Sequence, residues 1–274
     1  MTDWPEIPEN VVKGVRERWP DRADRWLATA GETLAELCAG YNGRPRDALH
    51  ARYGYVVSVD TPDGGLVIRS SPDPDGPIQV KVSEALSALG VAPAIHQTLV
   101  TDVATWTVME EIEPGTPFAL TDRSSADLEA LTAPLASLRN QPVPVPGMPS
   151  LIPWIRGRLE DDNLKDMPVW QVPASDSERS QALNVLAELE QDFKPLLCHG
   201  DASTWNLLLT GASRWVLIDP RGIAGELAYD LAVLAMKVRG SLTAAEVGQR
   251  FAAATQVEEG RVAAWMEIAL AARV

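Results

Sequence analysis

The stretch from Leu196 to Leu231 holds the side chains whose types and order could do chemistry. It contains His199-Gly200-Asp201, then Asn206 five residues after Asp201, then Asp219-Pro220. The apolar run Leu196 to Cys198 brings the loop that begins at His199 out of the core. Leu207 to Leu209 and Arg214 to Ile218 flank the turn Gly211-Ala212-Ser213 and predict a hairpin with Asp219 at its end. Two carboxylates and one amide therefore meet at the mouth of one buried hairpin. Phosphoryl transfer needs such a set. One carboxylate accepts the proton of, or orients, an attacking hydroxyl, while an amide oxygen and a second carboxylate hold Mg²⁺ on nucleotide phosphates.

Taken singly, these residues have plainer readings. Asp201 and Asn206 could form a turn whose side chains cap backbone groups. Asp219-Pro220 is a common turn-initiating pair. Their joint occurrence, in order and at hairpin spacing, favours chemistry. His199 reads as a hydrogen-bonded brace of the loop rather than an acid or base. Cys198, behind two leucines, reads as a small core residue. Trp205 either packs the loop or lines an acceptor site, and packing is the expectation.

The elements that must position this loop follow from periodicity. Val12, Val15, Trp19, Trp26, Leu27, Leu34 and Leu37 recur at helical steps, and Pro20 splits the run into two helices. Tyr53 to Val59 and Leu66 to Arg69 predict a strand hairpin across the turn Thr61 to Gly65. Ile78 to Leu89 reads as a helix stopped by Gly90, and Ile95 to Val100 with Thr105 to Glu111 as another hairpin. Beyond Glu111 the pattern turns helical. A segment from Asp127 to Arg139 carries leucines at 128, 131, 135 and 138 and a kinking Pro134. Ser175-Asp176-Ser177-Glu178 is a capping box opening a helix with Leu183, Leu186, Leu189 and Phe193 inward. Val262, Trp265, Ile268 and Leu270 mark a last amphipathic helix. This order predicts an α+β chain with a small β-rich N-lobe, residues 1–110, and a larger α-helical C-lobe, residues 111–274.

Composition narrows the partners. The formal net charge is −14, from 24 basic and 38 acidic residues, which disfavours nucleic acid and anionic membrane and favours a cationic small molecule. The two cysteines and three histidines are scattered, with no disulfide framework or zinc spacing. With no signal peptide or membrane-length apolar run in view, a reducing, cytoplasmic location is expected.

The spacing His-x-Asp-x-x-x-x-Asn followed by an aspartate on the next hairpin is the logic of the kinase catalytic loop. His199-Gly200-Asp201 with Asn206 resembles the signature of the aminoglycoside phosphotransferases. Asp219-Pro220, Gly222, Gly225-Glu226 and Tyr229-Asp230-Leu231 are similar to the streptomycin 6-kinase branch, the aminoglycoside/hydroxyurea resistance kinases. The resemblance covers nearly the whole chain and is specific from 199 to 231. It implies a bilobal protein-kinase-like fold, Mg²⁺, and ATP or GTP as donor. Asp201 would then be the catalytic base, and Asn206 and Asp219 the metal ligands. Met109 to Ile112, through Glu110 and Ile112, would face the nucleobase. Asp230 would brace the catalytic loop.

Two departures stand out. The family's strand lysine is best matched by Arg69 and its helix glutamate by Glu84; Lys81 is a rival, but it lies on the same helix as Glu84. No G-x-G-x-x-G loop is present. The expected activity is phosphorylation of a hydroxyl on an aminoglycoside-like cation, with Glu226, Asp230 and Glu267 supplying acidity on the acceptor side. The alternatives are a metabolic kinase for a sugar, amino alcohol or peptide antibiotic, and a nucleotide-binding pseudokinase. The complete set of Asp201, Asn206 and Asp219 argues against the last.

Overall fold

The computed structural model describes residues 4–121, 128–161, 164, 172–238 and 240–274. Two compact units divide the chain: residues 1–80 with 93–112, and residues 81–92 with 113–274. The sequence reading placed one boundary at 110/111; the structure differs in counting residues 81–92 with the second unit. The reason is burial, since Val82, Leu86 and Val91 join the apolar cluster of the later helices.

The first unit opens with α1 (Glu9–Arg18) and α2 (Pro20–Gly40). Pro20 occupies the first position of α2, where its missing N–H has no intrahelical partner to lose. A five-stranded antiparallel sheet follows, in the order β1-β2-β3-β5-β4. Its strands are β1 (Arg44–Ala48), β2 (Tyr55–Thr61), β3 (Gly64–Ser71), β4 (Ile95–Val100) and β5 (Thr105–Glu110). The period-two pattern puts Tyr55, Val57, Val59, Ile68, Trp106 and Val108 into one core with Trp26, Ala30 and Leu34 of α2. Trp26 Nε1 donates to Ser70 Oγ at 3.0 Å, fixing α2 across β3.

Between the hairpins runs α3 (Gly76–Ala88), followed by Gly90 at φ 71°. The second unit continues with β6 (Pro114–Pro117), a 3₁₀ turn (Glu129–Thr132), α4 (Ala133–Ala136), α5 (Leu151–Glu160) and α6 (Asp176–Glu190). Then come β7 (Leu196–Leu197), β8 (Leu207–Thr210), β9 (Trp215–Leu217), β10 (Ala224–Gly225), α7 (Leu227–Lys237), α8 (Ala244–Thr255) and α9 (Glu259–Ala271). The helix expected over 127–139 is instead the 3₁₀ turn and one turn of α4, and Asp127 lies outside the described residues. Pro134 sits in the first turn of α4, where it starts a helix rather than kinking one. Leu131, Leu135 and Leu138 are nonetheless all buried. The Ser175–Glu178 capping box opens α6 as expected, although the helix ends at Glu190, before Phe193.

The core of this unit lies where α7, buried along Leu227–Ala235, meets α8 and α9. Val262, Trp265 and Ile268 of α9 face it. No helix among the described residues is long and apolar enough to cross a membrane.

Candidate active site

The site is built by two loops of the second unit that run side by side. β7 and β10 pair antiparallel, with Leu197 opposite Ala224. The pairing continues past the strands: Cys198 Sγ donates to Ile223 O, and Arg221 N–H to His199 O at 2.9 Å. Gly200 is required at this crossing. Its φ is +78°, and a Cβ there would lie 2.9 Å from Ile223 Cγ1 and 3.0 Å from the Arg221 Cβ.

Asp230, in the first turn of α7, holds the first loop in shape. It is fully buried, and its Oδ2 and Oδ1 accept from the N–H groups of His199 and Gly200 at 2.7 and 2.8 Å. Burial pushes its carboxyl up to about 7, against the pull of those two donors. His199 is buried as well. Its Nε2 lies 2.8 Å from the Ile218 carbonyl, which can only accept, and its Nδ1 faces the Asp201 N–H at 3.3 Å. The ring is therefore neutral with its proton on Nε2, in keeping with a pKa lowered by burial. Both nitrogens are occupied, so His199 is the brace expected of it. Cys198 is equally a core residue, its thiol pushed far above the ordinary range by burial.

Asp201 is half-buried on this framework. Its carbonyl accepts from Ser203 N–H at 2.8 Å and from Asn206 Nδ2 at 2.9 Å. With Nδ2 committed, the Asn206 amide presents Oδ1 as its acceptor end. The Asn206 carbonyl accepts from Ile218 N–H at 3.0 Å, which brings Asn206 beside the last residue before Asp219. Asp219 is exposed and has φ 58°, a left-handed backbone uncommon for a residue other than glycine and found preferentially at functional sites. A carboxylate and an amide oxygen on adjoining segments are a donor set that suits Mg²⁺, which takes few protein ligands and leaves the rest to phosphate and water. Among the described residues no group of three or more His, Cys, Asp or Glu forms a metal cluster.

Three expectations need correction. Trp205 is not buried by packing; it is 53% exposed, between Asp201 and Asn206. Glu226 does not face an acceptor. It is buried, takes Nε and Nη2 of Arg261 at 2.8 Å each, and accepts from Trp265 Nε1 as well. Asp230 is equally internal. Only Glu267 of the acidic trio is exposed, and its Oε1 accepts from Gln181 Nε2 at 2.7 Å.

Arg221, not among the residues expected from sequence, donates from Nε to Gly200 O at 3.2 Å, and its Nη2 lies 3.6 Å from Asp201 Oδ2. A basic residue directly after Asp219-Pro220 was the available signal.

The residues matched to the nucleotide side lie apart from this loop in sequence. Arg69, half-buried on β3, stands opposite Val56 and Thr107, and strand alternation puts it on the sheet face away from Ile68 and Ser70. Glu110 N–H donates to Ala94 O at 2.9 Å, and Glu111 N–H to Gly65 O at 3.0 Å. Ile112, half-buried, follows β5. Glu84 Oε2 accepts from Lys81 Nζ at 2.8 Å, within one turn of α3.

The order of sheet and helices and the loop that precedes Asp219 are those of a protein-kinase-like, α+β fold. The chain belongs to the phosphotransferase enzyme family, which it matches over residues 52–265. Among solved structures it is similar to an aminoglycoside-3'-phosphotransferase of type VIII, at 20% identity and a TM-score of 0.59, over 86% of this chain and 97% of that one. It is similar to a choline/ethanolamine kinase family protein from Mesorhizobium loti, at 18% identity and a TM-score of 0.65, over 89% and 84%. A spectinomycin phosphotransferase in complex with ADP and spectinomycin matches at 12% identity and a TM-score of 0.56, over 86% and 83%. No curated protein sequence matches the chain.

Proposed function

We propose that the chain transfers the terminal phosphoryl group of a nucleoside triphosphate, ATP or GTP, to a hydroxyl of a small organic cation, an aminoglycoside such as streptomycin foremost. The observation that carries this reading is the frame in which Asn206 Nδ2 donates to Asp201 O and the N–H of Ile218, the residue before Asp219, donates to Asn206 O. Asp201 accepts the hydrogen bond of the acceptor hydroxyl and takes its proton as the oxygen attacks the terminal phosphorus. The bond from that phosphorus to the bridging oxygen breaks, leaving a nucleoside diphosphate and a phosphate ester. Asn206 Oδ1 and Asp219 are the residues that would hold Mg²⁺, which when bound offsets the phosphate charge. Arg69 is assigned to the nucleotide phosphates, and the backbone of Glu110 and Ile112 to the nucleobase.

The cationic acceptor is supported by three things. The net charge is −14. Trp205 presents an exposed indole directly before Asn206, and such a face attracts ammonium and guanidinium groups. The similar structures include both aminoglycoside phosphotransferases and choline/ethanolamine kinases, and those names share a hydroxyl-bearing cation. Resistance to an aminoglycoside would follow from such an activity.

The test is a phosphorylation assay with Mg·ATP and Mg·GTP against streptomycin, other aminoglycosides, choline, ethanolamine and neutral sugars, read by mass spectrometry. A cationic acceptor gaining one phosphoryl group is expected. Asp201→Asn should lower its turnover by about two to four decades while nucleotide binding persists. A neutral sugar outperforming every cation would reject the acceptor class, and near-normal turnover in Asp201→Asn would reject the base.

A further inference from the structure

We propose that Arg221 is a positioning residue for Asp201, holding the carboxylate in its reactive orientation through a guanidinium that other groups fix in place. The proposal rests on the kinase reading above. The Arg221 side chain meets three partners at once. Nε donates to the Gly200 carbonyl at 3.2 Å, Nη2 lies 3.6 Å from Asp201 Oδ2, and the guanidinium carbon sits 4.6 Å from the ring centre of Trp154 on α5. Trp154 is itself anchored. Leu151, Ile152 and Ile155 of the same helix are buried, and Arg158 lies over the same ring at 5.2 Å. Arg158 is held in turn by the carbonyls of Ala272 and Arg273 at 3.0 and 2.9 Å.

Distance shows which partner governs which. A charge-assisted hydrogen bond from a guanidinium to a carboxylate closes at about 2.7–2.9 Å. The separation of 3.6 Å from Asp201 is longer, so the carboxylate is not what holds Arg221. Gly200 O and the indole are, and the guanidinium then presents a fixed charge to Asp201 Oδ2. The loops themselves do not need this side chain for their pairing, because the Arg221 N–H to His199 O bond survives any substitution but proline. What the side chain adds is the restraint on the carboxylate. Lysine would be a partial substitute: it keeps a charge but cannot serve Gly200 O, Asp201 and the indole face together.

The test has two arms. In the first, Arg221→Ala, Arg221→Lys and Trp154→Leu are assayed with Mg·ATP and the best acceptor from the panel above. Misplacing a reacting group by about 1 Å costs on the order of 100-fold. We expect kcat of Arg221→Ala to fall about 10- to 100-fold with nucleotide KM within about twofold, Arg221→Lys to lie between, and Trp154→Leu to lose less. Added methylguanidine should restore part of the kcat of Arg221→Ala and none in Asp201→Asn. In the second arm, the Arg221 Nε–H resonance is followed by ¹H–¹⁵N spectroscopy. It should carry a ring-current shift that Trp154→Leu abolishes, and it should move in Asp201→Asn. Wild-type kcat in Arg221→Ala, or a kcat loss matched by equal losses of nucleotide affinity and thermal midpoint without rescue, overturns the proposal. An Nε–H resonance indifferent to both Trp154 and Asp201 overturns it too. If the wild-type chain phosphorylates nothing in the panel, the kinase reading falls, and the spectra still decide the contact.

Discussion

A carboxyl group sealed from water and facing two backbone N–H donors is pulled in opposite directions, and at Asp230 burial prevails, taking it from 3.8 to about 7. Between those values the folded chain keeps a proton that the unfolded chain has released. The contribution of Asp230 to stability is therefore fully present below the ordinary carboxylate range and is lost as pH rises through about 7. Asp230→Asn, which does not titrate, should destabilise the fold by about 1–3 kcal/mol, because its NH₂ faces one of the two N–H groups. Denaturant unfolding of both proteins should show that gap, present near pH 4, closing and changing sign as pH rises through about 7. A constant gap across that range would mean the carboxyl is ionised throughout. Trp205 belongs to the same scale. If its exposed indole receives the acceptor, Trp205→Ala should raise acceptor KM about 2- to 30-fold, the equivalent of about 0.5–2 kcal/mol, with nucleotide KM unchanged. Equal effects on both substrates would instead point to a disturbed loop. These residues differ in how far the sequence exposed them. The placement of His199, Asp201, Asn206 and Asp219 was legible because spacing along one loop and one hairpin sets it. Arg221 and Trp205 were not, because their roles depend on what lies beside them: Trp154 arrives from a helix far earlier in the chain, and exposure is a property of packing.

Glu226 precedes α7, and its carboxylate binds Arg261 and Trp265 of α9. Arg261 also reaches Asp192 at 2.7 Å, so one guanidinium joins the segment before β7, the start of α7 and α9. Breaking a buried pair by removing one partner leaves a charge uncompensated, at a cost of about 3–5 kcal/mol. Arg261→Met should thus lower the unfolding free energy measured in urea by an amount near the lower end of that range, since Arg261 keeps some contact with water. The pair Glu226→Gln with Arg261→Met should recover part of the loss, because no lone charge remains buried. A double variant as unstable as the sum of both single ones would show that the two side chains act independently. This network explains why Glu226 misled the sequence reading. An acidic residue near the catalytic segment looks like an acceptor contact until α9, which begins only at Glu259, is seen to bring its partner. Elements with strong local signals were read well: the split at Pro20, both hairpins of the first unit and the capping box at Ser175. β1 was missed, because its residues Arg44–Ala48 have no apolar alternation and lie at the sheet edge, paired only with β2. β6 was missed for a related reason, since Pro114–Pro117 reads as a loop until β8 pairs with it.

At the scale of the whole molecule the relevant quantity is charge. Acidity is not concentrated in the later part of the chain. Residues 1–80 and 93–112 contain 16 acidic and 9 basic side chains, the remainder 22 and 15, so each unit carries −7. With Glu226 and Asp230 also engaged by internal partners, a cationic acceptor would be attracted by a distributed field. Such a field is screened within about 10 Å at 0.1 M salt. It acts oppositely on the two substrates, because Mg·ATP bears net negative charge. Between about 20 and 300 mM salt, KM for a cationic acceptor should therefore rise, while KM for Mg·ATP should fall or stay level. The slope should grow with acceptor charge: streptomycin, with two guanidinium groups, should respond more steeply than choline, with one quaternary ammonium. Steady-state kinetics at four or five salt concentrations, with ionic strength set by a monovalent chloride, measure both slopes in one series. Parallel slopes for acceptor and nucleotide would indicate a salt effect on the enzyme itself. A salt-insensitive acceptor KM would place recognition in short-range contacts such as the Trp205 face, and the net charge of −14 would then have no part in choosing the acceptor.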